Sequence, residues 1–153
     1  MKLIKKVKVV FFSMLFLCLT LVSNAQELGI RTGVSWGNHA AIDAIFGAGK
    51  YSRIHADLSF GSGVSAEALW DFVYKPLGSD GIHWYAGAGV ATFIGSSIFQ
   101  LGIPGEIGLE YRFNKAPIAL GIDWRPSLSI INSTEFHANI IGINVRFVFG
   151  KKR

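Results

Sequence analysis

The feature that most constrains this chain is an alternation with a period of two, recurring from about residue 28 almost to its end. In "GINVRFVF" (142–149), Ile143, Val145, Phe147 and Phe149 fall on one side, and Asn144, Arg146 and Val148 on the other. Side chains of an extended strand point alternately to opposite faces, so each such segment reads as a strand with two unlike faces. In "IALGIDWRPSLSI", Ile118, Leu120, Ile122, Trp124, Leu128 and Ile130 oppose Ala119, Gly121, Asp123, Arg125, Ser127 and Ser129. The same pattern sets Leu101, Ile103, Ile107, Leu109, Tyr111 and Phe113 against Gln100, Gly102, Glu106, Glu110 and Arg112. Upstream, Leu28, Ile30, Val34 and Trp36 oppose Gly29, Arg31, Gly33 and Ser35, and Ile54, Ala56, Leu58 and Phe60 oppose Arg53, His55, Asp57 and Ser59. Val64, Ala66, Ala68, Trp70, Phe72 and Tyr74 oppose Ser65, Glu67 and Asp71, and Ile82, Trp84, Ala86, Ala88 and Val90 oppose His83, Tyr85, Gly87 and Gly89. These are seven strands; an eighth, the least distinct, is "AAIDAIFG" at 40–47. Gly-, Asn- and Ser-rich turns separate them, which predicts an antiparallel meander in one domain.

The composition of the two faces decides between solvents. A soluble sandwich or barrel shows Lys, Glu and Thr on its polar face. Here that face is rich in Gly and Ser with sparse charges of both signs, while the other carries large aliphatics and aromatics. The expectation is an all-β fold, an up-and-down antiparallel transmembrane β-barrel of eight strands, with apolar side chains facing lipid and polar ones facing the lumen. An open sheet is excluded in lipid because its edge amides would have no partner. Parity puts Arg31, Arg53, Arg112, Arg125 and Arg146 inside with Asp57, Glu67, Asp71, Glu106, Glu110 and Asp123. An eight-stranded barrel is narrow enough for side chains to fill it, so the expected role of these charges is an ionic plug, with a narrow path for solutes or ions as the alternative. Glu110 and Arg112, on the preceding strand, are expected to reach Asp123 and Arg125. Pro126 cannot donate to a ladder, which predicts broken pairing beside it.

The N-terminus carries a separate signal. "MKLIKKVK" is followed by an uncharged run from Val9 to Val22 and then by Ser23-Asn24-Ala25-Gln26. A basic stretch, a short apolar stretch and small residues at the −3 and −1 positions describe a secretory signal, cleaved between Ala25 and Gln26. Residues 1–25 are then signal peptide and 26–153 the barrel domain. The formal charge of +5 includes four lysines of that segment; eleven Lys and Arg then remain against ten Asp and Glu, a balance that implies no nucleic-acid partner. The one cysteine, Cys18, also lies there, so the exported chain has no disulfide or thiol chemistry. Lys50, Lys75, Lys115, Lys151 and Lys152 all fall near the turns or terminus at one end of the expected barrel, which is assigned to the periplasmic side.

The chain resembles the small outer-membrane β-barrel proteins of Gram-negative bacteria, of the OmpA/OmpX-type architecture. The resemblance rests on "SNAQ" (23–26), "IHWYAGAGV" (82–90), "GEIGLEYRF" (105–113), "LGIDWRPSLSI" (120–130) and "GINVRFVF" (142–149). It implies a location in the outer membrane and a monomer surrounded by lipid, delivered by periplasmic chaperones to the barrel-assembly machinery. The strand ending at Val145, Phe147 and Phe149 is similar to the C-terminal assembly signal of such proteins, although Gly-Lys-Lys-Arg follows it here. Members differ in activity, and the sequence has no Cys pair, no His-x-x-x-His and no phosphate-binding glycine loop. No cofactor, no metal and no catalysis are expected. The residual enzyme reading, a lipid-modifying barrel, rests on Ser133 and His137 near one rim; His55 and His83 are assigned to the polar lumen.

Overall fold

The computed structural model describes residues 26–33, 38–78, 80–131 and 134–149. The expected signal peptide with Ala25, the outward Trp36, Ser133 and the final lysines lie outside the described residues. Ten strand segments follow in chain order: β1 (Glu27–Thr32), β2 (Ala40–Gly47), β3 (Arg53–Phe60), β4 (Gly63–Pro76), β5 (Ile82–Gly95), β6 (Phe99–Arg112), β7 (Ile118–Trp124), β8 (Ser127–Ser129), β9 (Glu135–His137) and β10 (Ile141–Val148). All pair antiparallel, and each of β1 to β6 pairs with the next. β10 pairs with both β7 and β1, which closes the sheet on itself. β8 continues β7 along β6, and β9 pairs with β8 as β10 pairs with β7. The ten segments therefore form eight staves of a closed up-and-down barrel, in which each of β1 to β7 and β10 is paired on both sides.

The least distinct strand of the sequence, 40–47, is present and pairs on both sides. The stave from Ile118 is interrupted at Arg125-Pro126, between β7 and β8, as the missing N–H of Pro126 requires. The ladder survives there through other donors: Gly105 N donates to Pro126 O at 2.8 Å, and Arg125 N to Ile140 O at 2.8 Å. A second gap lies beside Pro104 on β6, where the β5–β6 pairing is interrupted between Ala88↔Gly105 and Ala91↔Gly102 with the register unchanged.

Parity divides the barrel as the alternation predicts, with one correction. Ile30 and Ile143 are about three-fifths exposed on the outer wall (61% and 59%), whereas Arg31 and Arg146 beside them are 1% exposed. Tyr74, expected outside, points inward. A bulge between Asp71 and Val73 makes Phe72 the extra residue and reverses parity for the rest of β4. Tyr74 then pairs with Tyr85, and both rings enter the lumen.

Glycines on the inner face make room for large polar side chains. A Cβ at Gly108 would overlap the Tyr85 ring, and one at Gly142 would overlap the Arg31 guanidinium. Inner-face glycine and buried arginine are thus two sides of one packing solution.

Candidate functional site: the charged interior

Eight carboxylates and five guanidiniums occupy the lumen among the described residues. Arg125, buried at the Pro126 break, donates through Nη1 to Asp57 and, at 2.8 Å, to Glu67, and through Nη2 to Glu106. It thereby ties β3, β4 and β6 to the interrupted stave. Arg146 donates from Nε to Glu27 at 3.0 Å, from Nη1 to Asp43 at 3.0 Å, and from Nη2 to Glu110. Arg53 reaches Asp71 at 2.7 Å and Glu110 at 2.8 Å, and its guanidinium lies 4.4 Å and 4.3 Å from the ring centroids of Tyr74 and Tyr85. A planar cation suits that slot, since it can stack on both rings while its edge binds carboxylates.

Towards the open loop end, Arg31 grips Asp123 through Nε and Nη2, and Asn144 donates to the same carboxylate at 3.0 Å. At the opposite end, Arg112 pairs with Glu27 and, at 2.9 Å, with Glu110. Arg112 is the most exposed member, with 22% of its side chain accessible. His55 is held between two carboxylates, Nε2 2.6 Å from Asp43 Oδ1 and Nδ1 3.0 Å from Glu106 Oε1.

All eleven charged residues assigned to the lumen from parity are placed on the interior face, but one expected pairing is wrong. Glu110 and Arg112 do not meet Asp123 and Arg125. The β6–β7 register sets Glu110 opposite Gly121 and Gly108 opposite Asp123, so Glu110 lies nearer the chain termini. Glu106 is the β6 carboxylate that reaches Arg125. Sequence reasoning missed Glu27 and Asp43. Glu27 shares parity with Arg31, and that signal was available; Asp43 sits in the strand whose alternation Ala41 and Ile45 obscure.

The network fills the middle of the barrel with buried, paired side chains. A cavity of about 460 Å³ opens at the end where β1 begins and β10 finishes, lined by Glu27, Lys50, Tyr51, Arg53, Tyr74 and His83 among others. A second, of about 450 Å³, lies at the other end around Phe93 and Gln100. Val145, Phe147 and Phe149 of the expected assembly signal are exposed on the outer wall. His137 has Glu135 as its nearest acid, at 3.9 Å, and is partly exposed; its suggested partner Ser133 lies outside the described residues. Comparison with known proteins finds no matching family, no matching curated protein and no matching solved structure.

Proposed function

We propose that this chain is an integral outer-membrane barrel of the OmpA/OmpX type, with a plugged lumen and a structural or interaction role rather than a catalytic one. The observation that carries this reading is the inversion of the wall. Trp70, Val90, Ile107, Ile122 and Ile143 face outward over a contiguous belt, while Asp71, Glu106, Glu110, Asp123 and Arg146 are buried inside. In water that arrangement exposes the apolar surface and buries the charge; in a bilayer it satisfies both. The 14-residue strands β4, β5 and β6 exceed the roughly 9–11 residues needed to cross a bilayer.

In this reading the N-terminal segment is a cleaved signal, and the protein stands as a monomer in lipid after delivery by periplasmic chaperones and the barrel-assembly machinery. The end carrying Lys50, Lys75 and Lys115 faces the periplasm. Membrane fractionation tests the reading: the protein should stay with membranes through alkaline carbonate and dissolve only with detergent. Release by carbonate would refute it.

A narrow channel is the second reading, favoured by the two cavities that approach the network from opposite ends. The paired charges between them argue for closure, so purified protein in a planar bilayer should be electrically silent. For the lipid-modifying enzyme, His137→Ala should leave the mass spectrum of lipid A unchanged.

A further inference from the structure

We propose that His55, Asp43 and Asp57 form a buried site for a divalent transition-metal ion, with zinc the best-suited occupant. This goes beyond the barrel's proposed role and does not depend on where the barrel resides. A donor atom from each of the three residues lies within 4.8 Å of the others, all inside the barrel. They come from adjacent staves, Asp43 from β2 and the other two from β3.

Three observations converge there. First, His55 Nδ1 lies 3.0 Å from Glu106 Oε1. A carboxylate on one ring nitrogen fixes the proton on that side and turns the lone pair of the other outward, the second-shell arrangement of metal-bound histidines. Second, that other nitrogen, Nε2, lies 2.6 Å from Asp43 Oδ1. Two lone pairs cannot face each other at that distance, so either a second ring proton, donated to Asp43, or a metal ion lies between them. Third, Asp57 is buried, and its Oδ1 has no hydrogen-bond partner although its Oδ2 binds Arg125. A buried carboxylate oxygen without a donor is the atom a cation would engage.

The excess of buried carboxylates leaves room for a divalent ion. The described interior holds eight carboxylates against five guanidiniums, an excess of three negative charges. Protonated His55 would offset one of them. A divalent ion on neutral His55 would offset two. One imidazole and two carboxylates suit zinc, with a fourth position open to water. Bonds of about 2.0 Å in a tetrahedron place ligand atoms about 3.3 Å apart, so the ion would open the His55–Asp43 contact by a fraction of an ångström. The ion would enter as the barrel closes, since Arg53 lines the cavity on that side and Arg146 is paired with Asp43.

The test is metal content after folding. The mature chain, folded into detergent micelles with zinc and then dialysed, should retain one zinc per chain, with cobalt giving a visible ligand-field spectrum. Asp57→Asn should weaken retention by about tenfold or more, and His55→Gln should abolish it. Asp123→Asn, a lumen carboxylate outside the site, should leave it unchanged. Absence of zinc in the wild type, or equal retention by wild type and both site variants, would overturn the proposal. If those variants fail to fold, ¹⁵N resonances of His55 in the zinc-treated wild type decide. A metallated Nε2 supports the site, and a doubly protonated ring refutes it.

Discussion

At the scale of single residues, the interior illustrates why buried charge is costly to disturb. Arg125 is 1% exposed and serves three carboxylates, Asp57, Glu67 and Glu106. Breaking a buried pair strands its partners, so Arg125→Ala should lose about 3–5 kcal/mol of stability. Urea unfolding in micelles, followed by tryptophan fluorescence, measures this; an unchanged midpoint would contradict the role given to Arg125. Gly108 tests the packing side of the same design. Because a Cβ there meets the Tyr85 ring, Gly108→Ala should cost about 1–3 kcal/mol. The cost should shrink in a Tyr85→Leu background, where the space is released. Additive effects of the two changes would show that they do not share that space.

At the scale of elements, each stave presents two unlike faces, and the outer parity is as testable as the inner. Leu120 lies in β7 on the outer wall, opposite Tyr111 of β6 and Val145 of β10. That is near the end of β6, whereas Ile107, exposed on the same wall, sits at mid-strand opposite Trp124, so Ile107→Arg should cost about 2–4 kcal/mol. Phe113→Arg, beyond the end of β6, should cost only about 0–1 kcal/mol. Equal penalties in vesicle-refolded protein would mean that the apolar belt is not read by lipid depth. The β7–β8 break shows a local rule surviving in the tertiary structure: Pro126 cannot donate, and the stave divides there.

At the scale of the whole molecule, the barrel is a closed ladder around an ionic core, and its two ends differ. Lys50, Lys75 and Lys115 lie at the end where Phe149 meets Gln26. The other end carries Ser96 and Ser97 in the β5–β6 turn. Without the Cys18 segment the chain has no cysteine, so a single introduced cysteine reports its own position. A membrane-impermeant maleimide should label Ser97→Cys in intact cells and spare Lys115→Cys until the membrane is opened. The reverse pattern would invert the orientation.

Much of this architecture was legible in the chain because a strand's period is fixed by backbone geometry. Alternation assigned Arg31, Asp123, Arg125 and Arg146 to one face, and turn residues separated the staves, including the one at 40–47. The sequence by itself determined strand number, facing and the break at Pro126, all of which depend on neighbours along the chain. Which acid meets which arginine was decided only by the tertiary structure. The stagger between staves sets the height of each side chain in the lumen, so Glu106 rather than Glu110 serves Arg125. The bulge at Phe72 turned Tyr74 inward. His55 gained its carboxylate neighbours from β2 and β6, strands that closure alone brings around it.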